Sequence, residues 1–260
     1  MNSVVVVIPC YNEAQRLDLE GIRSAVSDLA DLHLLFVDDG STDATSTVLA
    51  TLVASLPPNR AATLTLRKNS GKAEAVRQGV LQAIEADLFG VEPFAVGYWD
   101  ADLSTPLPAV VRFEALLDSD SSMFAVIGSR VKLMGRTIER SVVRHYTGRV
   151  FATLAALSLR FPVYDTQCGA KLFRVTPELR TIFEPPFETR WAFDVEVLAR
   201  IAGLFGRDIG ARRVVIELPL ETWRHIGQSK VRVRDLPRMI WDLARISLRY
   251  RDTHRSRTTD

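Results

Sequence analysis

Four times within the first 120 residues a short apolar, β-branched run gives way to a helical pattern, and each run ends in polar residues. Residues 4–8 lead to 16–29, 32–37 to 43–55, 62–66 to 73–86, and 94–99 to 107–117, with 124–128 opening a fifth unit. Strand runs alternating with helix-length periodic segments predict βαβ units: an α/β fold with a mainly parallel central sheet and helices on both faces. In such sheets ligands bind beyond the carboxyl ends of the strands. Pro9-Cys10-Tyr11-Asn12-Glu13, Asp38-Asp39-Gly40-Ser41, Asn69-Ser70-Gly71-Lys72 and Asp100-Ala101-Asp102 follow the first four runs in order. Four consecutive polar strand ends describe one site.

The second half is less regular. A helix is expected at 146–161, a strand at 171–174, a helix at 193–204, a strand at 214–218 and a terminal helix at 236–249. Pro57-Pro58 and Pro185-Pro186 mark loops without linker-like flanks, so residues 1–260 read as a single domain. An apolar share of 47% is enough for a sizeable core. Lys and Arg (33) nearly balance Asp and Glu (31), which gives no case for nucleic acid as a partner. From Arg207 to Asp260, however, 13 basic residues face 7 acidic ones, making that end a candidate contact for an anionic surface. Cys10 and Cys168, in unrelated contexts, read as structural thiols of a reducing compartment. The first residues lack the pattern of a signal peptide, and no run approaches the roughly 20 apolar residues of a membrane span. The expectation is a cytoplasmic protein whose membrane contact, if it has one, is peripheral.

Asp100 and Asp102 put two carboxylates at a strand end, a hard-oxygen pair suited to Mg²⁺ or Mn²⁺ whose shell is completed by phosphates and water. Asp38 and Asp39 are adjacent like charges that need partners; base N–H groups or ribose hydroxyls would serve. Ser41 or Thr42 is expected to cap the next helix, with Asp43 in its first turn. Gly71-Lys72 opens a helix where an anion could bind, although the chain lacks the rest of a Walker A sequence. On these residues alone Lys72 reads as a solvated side chain sooner than as an anion ligand, and Asn12 as a plain helix cap serves as well.

Together the four strand-end motifs, with Leu103-Ser104 after the last, resemble the inverting family 2 glycosyltransferases of the A-type nucleotide-sugar fold. Gly128-Ser129-Arg130, residues 165–173 (Asp-Thr-Gln-Cys-Gly-Ala-Lys-Leu-Phe) and 190–196 (Arg-Trp-Ala-Phe-Asp-Val-Glu) are similar to the dolichyl-phosphate glucosyltransferase subgroup and its bacterial polyprenyl-phosphate relatives. The resemblance implies a nucleotide-sugar-binding half at about 1–129, an acceptor-side half at about 130–235 and an amphipathic helix at 236–250. It implies that Pro9, Tyr11, Glu13 and Asp39 line the nucleoside pocket with Lys72 beside it, and that Asp100 and Asp102 hold the cation. Ser104 stands where related mannose synthases have glutamine. Arg130 and Arg144 have the spacing of the two arginines that hold the lipid phosphate. The loop carrying Lys230 can close over the donor, and residues 165–171 close the site beneath the sugar. Asp194 and Glu196 are candidates for a base or for orienting groups; as acidic residues near a helix start, simple dipole pairing explains them equally.

The implied reaction is inverting transfer of a hexose, glucose from UDP-glucose, to a polyprenyl or dolichyl phosphate. The alternatives are a soluble family 2 enzyme acting on a hydroxyl of a saccharide or small molecule, and a non-catalytic nucleotide-sugar-binding module. In the terminal helix Leu236, Met239, Ile240, Leu243 and Ile246 recur at helical spacing near Trp241, with Arg238, Arg245 and Arg249 on another side. Such a helix either packs on the core or lies in an anionic membrane interface, together with Val150, Phe151, Leu154, Leu157 and Phe161.

Overall fold

The strands are β1 (Val4–Cys10), β2 (Leu32–Asp38), β3 (Ala61–Thr65), β4 (Ala95–Tyr98), β5 (Ala125–Ser129), β6 (Thr137–Ile138), β7 (Lys171–Arg174), β8 (Val215–Pro219) and β9 (Thr222–Trp223). Every residue of β2 and nearly every one of β1 is buried. Their near-continuous apolar runs follow from coverage on both faces. Val5, Val7, Leu35 and Val37 enter one core, and Val4, Val6, Ile8, Leu34 and Phe36 enter the core on the opposite face. Each such fully buried side chain contributes about 1.5–3 kcal/mol relative to leaving it exposed.

The computed structural model describes residues 1–85, 87–139, 142–159, 161–206, 213–224 and 236–250, with the backbone alone for 142–148 and 236–237. Seven strands form one sheet in the order β3-β2-β1-β4-β7-β5-β8. β3, β2, β1 and β4 run parallel, as do β5 and β8, while β7 lies antiparallel between β4 and β5. Because β7 runs the other way, its first residue, Lys171, pairs with Tyr98 at the carboxyl end of β4. The chain just before β7 is thereby delivered to the same rim as the four polar motifs. A small parallel ribbon of β6 with β9, absent from the sequence reading, stands apart from the sheet.

The helices are α1 (Leu19–Asp28), α2 (Thr45–Ser55), α3 (Lys72–Glu85), α4 (Val110–Ser119), α5 (Val142–Leu159), α6 (Pro177–Phe183), α7 (Phe193–Phe205) and α8 (Leu236–Tyr250). Residues of α1, α2 and α4 cover one face of the sheet, and those of α3, α5, α6, α7 and α8 the other. α1 starts at Leu19 because Asp18 caps it, its carboxylate accepting from Gly21 N at 2.9 Å. α3 sits close against β1 and β2: a Cβ on Gly79 would overlap Val7 Cγ1 and stand 2.8 Å from Val37 Cγ2. In α8, Met239, Leu243 and Ile246 are buried in the core, whereas Ile240, Trp241 and Leu248 are exposed. Core packing therefore takes three of the five residues expected on one apolar face. Phe151 and Phe161 are buried as well, leaving Val150, Leu154 and Leu157 exposed on α5. Among the described residues no helix is long and apolar enough to cross a membrane.

Candidate active site

The turn after β1 is built around Asn12, which has a left-handed backbone (φ 53°) and does not cap a helix. Its N–H donates to Ser41 Oγ at 3.1 Å, and its Oδ1 accepts from Thr42 N at 2.9 Å. Ser41 and Thr42 are thus turned back to β1. Ala44 holds the cap position of α2 without a side-chain cap bond, and Asp43 before it accepts from Thr45 N at 2.9 Å. Glu13 is buried, its N–H donating to Thr45 Oγ1 at 2.8 Å, whereas Pro9 is half-buried and Tyr11 exposed.

The adjacent carboxylates after β2 find their partners within the chain. Asp38 accepts from Ser41 N at 2.9 Å and from the Ser46 hydroxyl. Asp39 accepts from Ser70 N and Gly71 N, both at 2.7 Å. Burial raises the Asp39 carboxyl above its ordinary range, and those two amides and the Arg190 guanidinium offset part of the rise. Gly71 (φ 95°) ends this loop, and the next residue begins α3. The carboxylate of Asp39 thereby fixes where Lys72 starts.

Lys72 Nζ lies 2.5 Å from Asp100 Oδ1, so it is ion-paired across the rim of the sheet and not simply solvated. Burial would lower the Lys72 ammonium, but Asp100 and Asp194 outweigh it and hold it above its usual value. Conversely, burial would raise Asp100, but Lys72, with Arg130 and Lys171 farther off, keeps it below the usual carboxylate range. The Asp100-Asp102 turn closes through Leu103, whose φ of 49° is a strained conformation for a branched residue. Leu103 N donates to Asp100 O at 3.0 Å, and Ser104 N donates to Asp102 Oδ1 at 2.9 Å. Ser104 itself is buried. Beneath the turn lies Gly169, whose carbonyl accepts from Asp100 N at 3.1 Å and whose missing Cβ would overlap the Asp100 carboxylate. Close approach, not a special backbone angle, is why glycine stands there. Two carboxylates at one strand end suit a hard divalent cation. Among the described residues no group of three His, Cys, Asp or Glu side chains could hold a metal, so a cation here needs phosphate and water to complete its shell.

Below this rim the first turn of α7 brings Asp194 into a buried ion pair. Its Oδ1 accepts from Lys171 Nζ at 2.5 Å and from Tyr98 OH at 2.6 Å. Glu196, also buried, accepts from Arg200 at 2.8 Å, Tyr250 OH at 2.8 Å and Glu188 N at 2.9 Å. Arg200 in turn donates to the carbonyls of Ile182, Pro185 and Pro186. Glu196 therefore pins the loop before α7. Arg245 and Arg249 of α8 pair with Glu188 of that same loop, at 3.1 and 3.4 Å.

Arg130, just past β5, grips Asp165 through Nε (2.6 Å) and Nη2 (2.7 Å), its own N–H adds a third bond at 3.1 Å, and Trp223 stacks 5.5 Å away. Glu217 secures the Asp165 segment by accepting from Tyr164 N at 2.7 Å and Asp165 N at 2.9 Å.

A family model described as "Glycosyl transferase family 2" matches residues 5–178, which takes in β1 to the start of α6. The chain belongs to glycosyl transferase family 2. It is a nucleotide-sugar-using glycosyltransferase with the A-type fold. Human dolichyl-phosphate beta-glucosyltransferase is 32% identical over 257 residues, covering 88% of this chain and 74% of the human one. The Saccharomyces cerevisiae protein of that name is 31% identical, covering 94% and 74%. Among solved structures, glucosyl-3-phosphoglycerate synthase from Mycobacterium tuberculosis in complex with UDP superposes with a TM-score of 0.64 at 18% identity, covering 96% of this chain and 80% of that one. Its complex with Mn²⁺, UDP and glucosyl-3-phosphoglycerate gives 0.62 at 17%.

In this glycosyltransferase, Lys72 and Asp100 are in direct contact, Asp102 follows two residues on, and the charge of Asp194 reaches Lys72. Asp39 joins them through the Ser70-Gly71 amides, and Arg130 is near enough for its charge to act on Asp100. Arg144 is carried by α5, but its side chain lies outside the described residues, as does Lys230 with the whole 225–235 segment. Sequence reasoning left Lys171 without a role and missed Arg190. Arg190 Nε stands 3.5 Å from where a Gly71 Cβ would lie, and its charge reaches Asp39. An arginine at the start of a motif read only for its acids carried no separate signal.

Proposed function

We propose that this enzyme transfers glucose from UDP-glucose, with inversion, to a polyprenyl or dolichyl phosphate and needs Mg²⁺ or Mn²⁺ to do so. The observation that carries this reading is the arginine–aspartate pair Arg130–Asp165. It anchors a guanidinium beside the donor rim, at a distance where its charge acts on Asp100. Asp165 takes the Nε and Nη2 edge of Arg130, and the N–H groups left on Nη1 and Nη2 suit phosphate oxygens, so a cation here, beyond the donor motifs, fits an acceptor that is itself a phosphate. The identity shared with dolichyl-phosphate beta-glucosyltransferases over most of the chain supports the same acceptor class.

In this reading Pro9, Tyr11, Glu13 and Asp39 bind the nucleoside, and Lys72 and Lys230 meet the donor phosphates. Asp100 and Asp102 hold the cation, which when bound would neutralise charge on the departing nucleoside diphosphate. Arg130 and Arg144 hold the acceptor phosphate in line with the anomeric carbon. A phosphate monoester, with a second pKa near about 6, is already anionic at neutral pH and needs no base to take a proton. Asp194, already committed to Lys171 and Tyr98, then serves as an orienting group. The exposed Val150, Leu154 and Leu157 of α5 and Ile240, Trp241 and Leu248 of α8 support peripheral contact with a membrane carrying the lipid.

The test is incubation with a panel of nucleotide sugars and a short polyprenyl phosphate, with product identified by mass. Glucosyl polyprenyl phosphate formed only with divalent cation is the expected result. Glucosylation of a hydroxyl acceptor in preference to the lipid phosphate would select the soluble alternative, and full activity in excess chelator would remove Asp100 and Asp102 from the cation.

A further inference from the structure

Lys171 stands in β7 with no exposed side-chain surface. An ammonium so placed must have its donors satisfied, because an uncompensated buried charge is strongly destabilising. Its Nζ donates to Asp194 Oδ1 at 2.5 Å and to the Cys168 carbonyl at 2.6 Å, and lies 5.3 Å from the centroid of the Tyr98 ring. The bond to Cys168 gives the lysine its reach. Cys168 and Gly169 form the turn on which Asp100 rests: Asp100 N donates to Gly169 O, and the Gly169 Cα is packed so closely on the Asp100 carboxylate that a Cβ would overlap it. A continuous path runs from Asp194 through Lys171 to the 168–169 turn and on to Asp100. A well-packed apolar residue would fill the position of Lys171 without the cost of burying two charges. What an apolar residue could not do is hold the Cys168 carbonyl.

We propose that Lys171, with Asp194 as its buried counter-charge, is a positioning residue that pins the Cys168-Gly169 turn and so sets the orientation of Asp100 toward the donor-bound cation. This rests on the cation role of Asp100 and Asp102. Partners around metal-binding carboxylates typically change metal affinity about 10- to 100-fold when removed.

The decisive variant is Lys171→Met/Asp194→Asn, which removes both buried charges together and keeps the volume. Gly169→Ala perturbs the same turn with Lys171 intact. Mn²⁺ binding in the presence of UDP is followed by electron paramagnetic resonance, UDP binding without metal by calorimetry, and folding by thermal melts. The expected result is a folded double variant whose Mn²⁺ binding is about 10-fold weaker while its metal-free UDP affinity changes by much less than that, and a comparable loss of Mn²⁺ binding in Gly169→Ala. Wild-type Mn²⁺ affinity in either folded variant, while Asp100→Asn loses it, overturns the positioning role and leaves the cation assignment standing. Unchanged Mn²⁺ binding in Asp100→Asn overturns both.

Discussion

Replacing Asp165 by Asn separates what the Arg130 pair does for the fold from what it does for the reaction. The two side chains are only 15% and 8% exposed, and their contact consists of two short N–H···O bonds. Removing one partner of a buried pair costs about 3–5 kcal/mol, because the other charge is stranded. Asn keeps the volume and one acceptor, so the lower end, about 3 kcal/mol, is expected. At about 2–4 °C per kcal/mol for a chain of this size, the melting temperature should fall by about 6–12 °C. Adding Arg130→Met removes the stranded charge, and the double variant should recover most of that loss. Transfer to the phosphate acceptor should stay low in both, since neither retains a positioned guanidinium. Thermal melts followed by circular dichroism, alongside the product assay at saturating donor, measure both arms. An Asp165→Asn protein melting within about 1 °C of wild type would show that the pair carries no stability. A double variant with wild-type transfer would remove Arg130 from the acceptor site.

Gly79→Ala should destabilise by about 1–3 kcal/mol through overlap with Val7, outweighing the gain of about 1 kcal/mol in helix propensity; a raised urea midpoint would refute that balance. Burial, with Asp165 adding to it against Arg130 and Lys171, pushes the Cys168 thiol up to about 11 from 9.0, and burial pushes Cys10 up as well. Neither thiol should react with a disulfide reagent in native protein near pH 8, and both should on unfolding; the stability carried by Cys168 is full below pH 9.0 and declines as pH rises through about 11. Burial also raises Glu217, with the Tyr164 and Asp165 amides opposing, so its stabilising effect is full below its ordinary 4.5 and fades above it. Glu217→Gln should therefore gain on wild type as pH is raised from 4.5 in denaturant titrations, and a pH-independent difference would contradict the shift. Arg245→Ala/Arg249→Ala breaks pairs in which both arginines are exposed and should leave stability nearly unchanged while weakening salt-sensitive binding to anionic vesicles; equal binding by wild type and variant would remove α8 from that surface.

The parallel half of the fold was legible because strands buried on both faces must be written as continuous apolar runs, and the helices between them keep their own period. What failed there was local. Ser41 and Thr42 look like caps for α2 but are drawn back to Asn12 by a contact some 30 residues distant, which leaves the cap position to Ala44 with Asp43 bonding Thr45 N before it. β6 and β9 have two residues each, too few to show a period, and α6 is a short helix announced only by Pro177 at its start. At the site, the positions of the carboxylates were readable but their partners were not. Asp39 is satisfied by amides about 31 residues on, and Tyr98 bonds Asp194 across 96 residues. Lys171 shows most clearly where the limit falls. A lysine opening an apolar strand is visibly anomalous, and burial then demands an acid. Which acid depends on β7 lying antiparallel beside β4, and no pattern of apolar residues encodes that neighbour. The same limit governs α8: its period specified that one face is covered, and only the packing of Met239, Leu243 and Ile246 into the core determined that protein covers it. Of the apolar residues left outside, Ile240 belongs to the expected face and Trp241 and Leu248 do not, so membrane contact by α8 falls to these three and not to the residues packed in the core.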